Sequence, residues 1–108
     1  MAKNDALQGA LPILVLKILH RRGPLHGYAI TAQIETASQI LRVEEGSLYP
    51  ALHRLEEAQL VTAKWVVTSH NRRARVYEVT DAGRHQLERD EQRWRAVTLA
   101  VGQLLEEI

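Results

Sequence analysis

The chain has 108 residues, with 14 Lys plus Arg against 13 Asp plus Glu and no cysteine. This length suits a single domain, and the lack of thiols excludes disulfides, thiolate catalysis and thiolate-bound zinc, as expected of a cytoplasmic protein. A net charge of +1 excludes general attraction to nucleic acid, so a nucleic-acid binder would need its basic residues gathered on one face. No signal peptide is expected, and the longest apolar run, at Ile13–Leu16, is too short to span a membrane.

The first predicted helix, from Leu7 or Gln8 to Arg21, is apolar almost all round. Such breadth indicates burial on two sides, against its own domain and against a partner subunit. Pro12 is expected either in the first turn of this helix or at a kink. The apolar stripe at helical spacing contains Leu7, Leu11, Leu14 and Ile18.

A second helix is predicted from Gly27 to about Ser38, after the stop signal Gly23-Pro24. His26 lies directly before it, where we expect the imidazole to cap the helix or bond to the backbone rather than to bind a ligand. The expected apolar side contains Tyr28 or Ala29, together with Ile30, Ile34 and Ala37.

The third predicted helix, Gly46–Leu60, has one narrow buried stripe of leucines. Taken alone, it is an ordinary amphipathic helix. Together with the preceding helix and the short turn, it predicts a helix-turn-helix. The residues expected on its outer face are Tyr49, Pro50, His53, Arg54 and Glu57, with Ser47 near its start.

Two segments of alternating polarity follow and predict strands at Leu60–Thr68 and Arg75–Thr80, with Tyr77 and Val79 facing inward. The residues between them form a polar, basic hairpin tip. Three helices followed by a basic β-hairpin predict a winged helix, mainly α with a small two-stranded β-wing.

A last helix is predicted from Ala82 to near the end, with Thr80 and Asp81 at its amino-terminal cap. Too little chain remains to cover its apolar face, so we expect a second copy to do so. We therefore expect residues 1–80 to form a DNA-binding unit and residues 81–108 a dimerisation helix, in one compact body. The expected dimer contacts are Leu7, Leu11, Trp94, Val97, Val101, Leu104, Leu105 and Ile108.

Four motifs in this order resemble the PadR family of transcriptional regulators. The segment from Gly46 to Glu56, GSLYPALHRLE, resembles that family's recognition helix, and HGYAI from His26 resembles the start of its second helix. RRAR from Arg72, followed by Tyr77, is similar to the wing, and TDAG from Thr80 to the start of the last helix. The chain length matches the short subfamily, with a winged helix and one dimerisation helix.

The resemblance implies a homodimeric repressor that binds double-stranded DNA at a pseudo-palindromic operator, without a cofactor or metal. The operator, the genes and the choice between repression and activation stay open. The implied DNA-binding residues are Ser47, Tyr49, Pro50, His53, Arg54, Asn71, Arg72, Arg73 and Arg75.

Three features depart from the family pattern, and one of them is Pro12, at a position that is usually acidic or polar in relatives. Gln59 stands where relatives have glycine before the first wing strand, so it must adopt a left-handed conformation at some cost or avoid it. The wing tip also lacks glycine, and we expect Asn71 to take a positive φ there.

The resemblance also implies an effector site near Trp94, whose indole can stack on a small planar aromatic or phenolic ligand. The alternative is that Trp94 only packs the dimer. A dimeric winged helix could also serve as a protein-interaction module without operator binding, although the basic wing argues against it. An enzyme is not expected, because the five histidines are scattered and no phosphate-binding glycine loop or carboxylate pair is present.

Overall fold

The computed structural model describes residues 5–37, 41–44 and 46–107. In chain order, the elements are α1 (Asp5–Arg22), β1 (Leu25–His26), α2 (Gly27–Ala37), α3 (Leu48–Glu57), β2 (Val61–Val67), β3 (Arg73–Val79) and α4 (Asp81–Glu107). The fold is mainly helical with a small antiparallel sheet, which confirms the predicted winged helix with a long last helix.

The hydrophobic core lies where α1, α2 and α3 meet the base of the sheet. α1 supplies four buried side chains to it, as its broad apolar surface predicted. Tyr77 and Val79 are both buried and confirm the predicted inward pair of β3. The largest buried side chains are Leu16, Leu19, Ile30, Ile34, Leu52, Val15 and Val61.

The structure corrects parts of three predictions about the first two helices. Pro12 lies inside α1, which begins at Asp5, and not in its first turn, so the helix tolerates the loss of one backbone hydrogen bond there. Leu11 is buried in the protomer's own core and has no surface left for a partner. Of the two alternatives Tyr28 and Ala29, Ala29 is partly buried and Tyr28 is exposed. Ala37, predicted on the apolar side, is also exposed, and the buried residues of α2 are Gly27, Ile30 and Ile34. Two predicted partner contacts lie outside the described side chains, those of Leu7 and Ile108. The predicted end of the second helix, Ser38, also lies outside the described residues.

The sheet has the strand order β1-β3-β2. β2 and β3 form the predicted hairpin, in which Val61 opposes Val79 and Trp65 opposes Arg75. β1 was not predicted; its two residues, Leu25 and His26, pair with Tyr77 and Val76 of β3. The wing is thus joined along its edge to the segment that starts α2.

α3 is shorter at both ends than the predicted Gly46–Leu60 helix. Gly46 and Ser47 form a turn before it, with Gly46 at a φ of 90°. At its carboxyl end, Leu60 N–H donates to the Leu55 carbonyl and Gln59 N–H to the Glu56 carbonyl. These two bonds are those of a Schellman motif, which requires a left-handed residue after the cap.

Asn71 has the expected positive φ, at 57°, and of the two alternatives at Gln59 the left-handed one is found, with a φ of 62°. At the wing tip, Asn71 N–H donates to the Thr68 carbonyl at 2.9 Å and Thr68 N–H to the Arg72 carbonyl at 2.7 Å. The Thr68 hydroxyl accepts from the Arg72 amide. The tip is therefore closed by its own hydrogen bonds without glycine.

α4 begins with the predicted cap, in which the Thr80 hydroxyl accepts from Gly83 N–H at 3.0 Å. Leu87 buries against the core, and the Glu91 carboxylate accepts from Lys17 Nζ of α1 at 3.1 Å. Beyond these contacts α4 runs out from the domain, and the longest dimension of the whole molecule is 57 Å. The exposed apolar side chains of this outer part are Trp94, Val97, Leu99, Val101, Leu104 and Leu105.

Candidate nucleic-acid interface

The outer face of α3 is exposed as predicted. Leu48, Ala51, Leu52 and Leu55 bury the inner side of this helix. Because the helical period then places the intervening side chains outward, the phenol, the pyrrolidine, the imidazole and the guanidinium all reach solvent. The exposed side chains are those of Tyr49, Pro50, His53 and Arg54.

An open groove of about 860 Å³ separates the inner face of the wing from the starts of α2 and α3. We call it the wing groove. Arginine and aromatic side chains dominate its walls, so it combines positive charge with flat surfaces suited to a phosphate backbone. Its lining is His26, Gly27, Tyr28, Tyr49, Trp65, Thr68, His70, Arg72, Arg73, Ala74, Arg75 and Tyr77.

Tyr49 lies across the first residue of α2. A Cβ added to Gly27 would stand 2.7 Å from the Tyr49 hydroxyl oxygen and 2.9 Å from the adjacent ring carbon. Only a glycine therefore leaves room for the phenol in this orientation. Helix α2 thus determines where the tyrosine of α3 points.

His26 caps α2, as expected: its Nδ1 accepts from Ala29 N–H at 3.2 Å. Its ring also stacks with Tyr28 at a centroid distance of 6.4 Å. Tyr28 is 79% exposed at the mouth of the wing groove. The imidazole thus has a structural role, while the phenol beside it is presented to solvent.

Trp65 of β2 supports two arginines of the opposite strand. It is paired directly with Arg75 in the hairpin, and Arg73 is the diagonal neighbour on the same face. The guanidinium carbons lie 4.9 Å (Arg73) and 5.6 Å (Arg75) from the centroid of the indole ring. Both distances are within the range of a cation–π interaction.

Arg75 differs from its neighbours because its charge is already paired. Its Nη2 donates to Glu56 Oε2 of α3 at 2.8 Å, and both side chains are about one-third exposed. Burial raises the pKa of the adjacent Tyr77 hydroxyl above 10.0, while the Arg75 guanidinium beside it acts in the opposite direction. Arg72 and Arg73 form no salt bridge within the described part of the chain.

The structure divides the predicted DNA-binding residues between two surfaces. Tyr49 and the three wing arginines line the wing groove, and Asn71 is exposed at the wing tip. Ser47, Pro50 and Arg54 instead line a shallow depression of about 200 Å³ on the other side of α3. His53 is exposed on α3, with Nε2 3.6 Å from Glu57 Oε2.

Only four of the residues that line the wing groove were predicted as DNA-binding, and those missed include His26, Tyr28 and Trp65. Tyr28 could have been found from helical phase, because it precedes the buried Ile30 by two residues and so lies about 200° around the helix. Trp65 carried no such signal, because its alternation with Val61 and Ala63 suggests the core face. The wing extends beyond the core, so that face becomes exposed at Trp65 and Val67.

The profile of the PadR-like family of transcriptional regulators matches residues 15–89, from α1 through the first third of α4. The chain belongs to this family. Its members regulate transcription and are not enzymes, and their winged helix binds DNA. The matched region includes α2, α3 and both wing strands, and hence every residue that lines the wing groove.

Individual relatives agree with this membership. The transcriptional regulator Rv3488 of Mycobacterium tuberculosis is 41% identical over 78 residues, which cover 69% of each chain. A 37.1 kDa protein of a Streptomyces fradiae transposon is 50% identical over 90 residues. The match covers 83% of this chain but only 23% of the transposon protein.

Solved structures of PadR proteins show the same fold. A PadR-like transcriptional regulator from Bacillus cereus superposes with a TM-score of 0.79 at 29% identity, covering 94% of this chain and 97% of its own. A PadR family regulator from Eggerthella lenta gives a TM-score of 0.79 at 32% identity, with coverage of 94% and 87%. These matches include the long last helix as well as the winged helix.

Two negative observations apply to the described residues. None of their helices combines the length and the apolar composition needed to cross a membrane. Nor do they contain a group of three or more His, Cys, Asp or Glu side chains arranged to hold a metal ion.

Proposed function

We propose that this PadR protein is a sequence-specific transcriptional repressor that acts in the cytoplasm as a homodimer on a pseudo-palindromic operator. The observation that carries the proposal is the wing groove, which is lined by Tyr49 of the recognition helix α3 and by Arg72 and Arg73, two arginines without a salt bridge in the part of the chain that the structure describes. Recognition of a duplex needs both base-edge and phosphate contacts, and these two elements supply them side by side.

In this proposal α3 enters the major groove and the wing follows the adjacent backbone. Ser47 and Tyr49 donate to phosphates or base edges, and Arg54 reaches a phosphate or a guanine. Pro50 has no N–H and packs against a sugar or a thymine methyl group. His53 and Asn71 add polar contacts at the edges of this surface.

Residues 81–108 are the proposed dimerisation helix, with residues 1–80 as the DNA-binding unit. The exposed side chains of Trp94, Val97, Val101 and Leu104 recur at intervals of three and four residues and so lie on one face of α4. Pairing two such faces would remove this apolar surface from water. The two α3 helices would then enter successive major grooves about 34 Å apart.

Selection of bound sequences from random DNA, followed by footprinting, tests operator recognition. We expect an enriched pseudo-palindrome with half-sites separated by one helical turn. If no sequence is enriched, the repressor proposal fails and a protein-interaction module becomes the better description. Transcription from a promoter carrying the selected site then distinguishes repression from activation.

A salt titration of binding tests the role of the wing. The double variant Arg72→Ala/Arg73→Ala should bind all sequences more weakly. The slope of log K against the logarithm of the salt concentration should become shallower by about 0.9 for each phosphate that the variant no longer neutralises. The matched control removes Arg89 and Arg93, two exposed arginines of α4, and should leave the slope unchanged. An unchanged slope in the wing variant would refute phosphate binding by the wing.

Sedimentation tests the dimer with a control on the same helix. Leu104→Glu places a charge on the proposed interface and should yield monomers. Leu99 is 63% exposed, close to the 61% of Leu104, but it lies on the opposite side of α4. Leu99→Glu should therefore remain dimeric, and monomers from both variants or from neither would refute the assigned face.

The same face is the proposed effector site. A small planar aromatic or phenolic ligand would stack on the Trp94 indole and release the operator. Ligand quenching of tryptophan fluorescence should disappear in Trp94→Ala and persist in Trp65→Ala. Equal quenching in both variants would leave Trp94 with a packing role only.

A further inference from the structure

We propose that Arg75 is a positioning residue that holds the wing against the recognition helix, rather than a residue that contacts DNA. The inference rests on the proposed function, since it assigns separate roles to the arginines of the wing. Its basis is the ion pair between Arg75 of β3 and Glu56 of α3, which links the wing to that helix.

The ion pair links α3 to a part of β3 that lies outside the hydrophobic core. β2 leaves the core at Ala63 and β3 returns to it at Tyr77, and none of the side chains of residues 64–76 is buried. Arg75 lies in this outer part of the hairpin, where its guanidinium reaches Glu56 at 2.8 Å. It is the only salt bridge between the wing and α3 among the described residues.

Trp65 restricts the arginine from the other side. Because Trp65 and Arg75 are directly opposed in the hairpin, the indole supports the guanidinium as it points at the carboxylate. A guanidinium held between a ring and a carboxylate has a fixed orientation, unlike a side chain that must search for a phosphate. The three side chains therefore set the angle between the wing and α3.

Electrostatics separates Arg75 from Arg72 and Arg73. To bind a phosphate, Arg75 would have to break a charge-assisted hydrogen bond and leave a carboxylate beside the DNA, which repels it. Arg72 and Arg73 have no such partner in the described chain and are more exposed. The two exposed arginines therefore supply the attraction, and Arg75 supplies the geometry.

The test compares Arg75→Ala with Arg72→Ala in binding to the selected operator at several salt concentrations. We expect Arg75→Ala to bind about fivefold more weakly, as for the loss of a partly exposed ion pair, with the same salt slope as the unmodified protein. Arg72→Ala should lower the slope by about 0.9 for each phosphate that it leaves without a cation. A slope reduced equally in both variants would overturn the proposal.

A charge exchange tests the pair itself without altering the net charge. Glu56→Arg alone and Arg75→Glu alone should each weaken binding, since each places two like charges together. The double variant restores opposite charges at the same two positions and should bind more tightly than Arg75→Glu alone. If Arg75 contacts DNA and does not depend on Glu56, Glu56→Arg should change affinity by the same factor whether position 75 carries arginine or glutamate.

Hydrogen exchange in the free protein separates this inference from the proposed function. Arg75→Ala should speed amide exchange in the hairpin tip, including Asn71 and Arg72, while Arg72→Ala should not. If Arg75→Ala speeds this exchange but the unmodified protein does not bind DNA, the repressor proposal is wrong and the positioning role of Arg75 still holds. Unchanged exchange in Arg75→Ala would overturn the positioning role, whether or not DNA binds.

Discussion

Replacing Gln59 with glycine should stabilise the protein without changing the residues that meet DNA. Gln59 holds a φ of 62° because the Schellman motif at the end of α3 requires a left-handed residue at this position. In that conformation the Cβ of an L-residue approaches the following carbonyl group, at a cost of about 1–2 kcal/mol. Glycine has no Cβ and avoids this cost.

The expected gain is smaller than the strain removed. Glycine also increases the conformational entropy of the unfolded chain, which offsets about 0.4–1 kcal/mol. The net gain in the free energy of unfolding is therefore about 1 kcal/mol. For a domain near 100 residues this raises Tm by about 4–8 °C.

Chemical and thermal unfolding at a fixed protein concentration measure the gain, since dimerisation would make Tm depend on concentration. The control is Gln59→Ala, which removes the same exposed side chain but keeps the Cβ. The hydrogen bond from the Thr80 hydroxyl goes to the Gln59 carbonyl oxygen, so both variants retain it. Equal stability of Gln59→Gly and Gln59→Ala would show that the positive φ carries no strain.

Three further predictions concern Gly27, Gly83 and Tyr77. Gly27→Ala forces the Tyr49 ring to move from its place over α2, so operator affinity measured by gel shift should fall about tenfold. Tm should change little, because the atoms near the added Cβ belong to the end of a side chain that can rotate away. Gly83→Ala places a Cβ against the backbone carbonyl oxygen of Leu60, which cannot yield without moving β2, so we expect a loss of several kcal/mol in denaturant unfolding. The raised pKa of Tyr77 means that the fold favours the neutral phenol. The contribution of this phenol to the free energy of unfolding is therefore fully present below pH 10.0 and is lost as pH rises through the pKa of the folded state. In Tyr77→Phe, the free energy of unfolding measured with urea should therefore fall less steeply above pH 10.0 than in the unmodified protein.

Gly9→Ala is the matched control for both glycine variants. A Cβ at Gly9 in α1 meets no heavy atom within 4 Å, so the substitution should stabilise the helix slightly and leave DNA binding unchanged. Weaker DNA binding by Gly9→Ala would show that the effect of Gly27→Ala does not come from Tyr49. A loss of stability in Gly9→Ala equal to that of Gly83→Ala would refute the steric argument at Leu60.

Local features of this protein could be predicted from its sequence because short-range chemistry determines them. Thr80 caps α4, and His26 caps α2, through hydrogen bonds to amides three residues away. The positive φ at Asn71 follows from a turn that leaves few other conformations. The leucine period of α3 likewise determined which of its side chains face solvent.

The remaining features depend on how separate elements approach one another. β1 exists only because Leu25–His26 lies beside β3, and two residues carry no strand signal of their own. Leu11 belongs to the protomer's core because α1 is enclosed on several sides, which an apolar stripe cannot distinguish from packing against a partner.

Within the candidate site the same division holds. The sequence by itself determined that α3 presents a polar face and that a basic hairpin follows it, because periodicity and composition are local properties. Only the tertiary structure decided that Tyr28 and Trp65 join Tyr49 in one groove and that Arg75 pairs with Glu56, nineteen positions away. The sign of an arginine's charge is set by its chemistry, but whether a carboxylate already neutralises that charge depends on the packing of two elements.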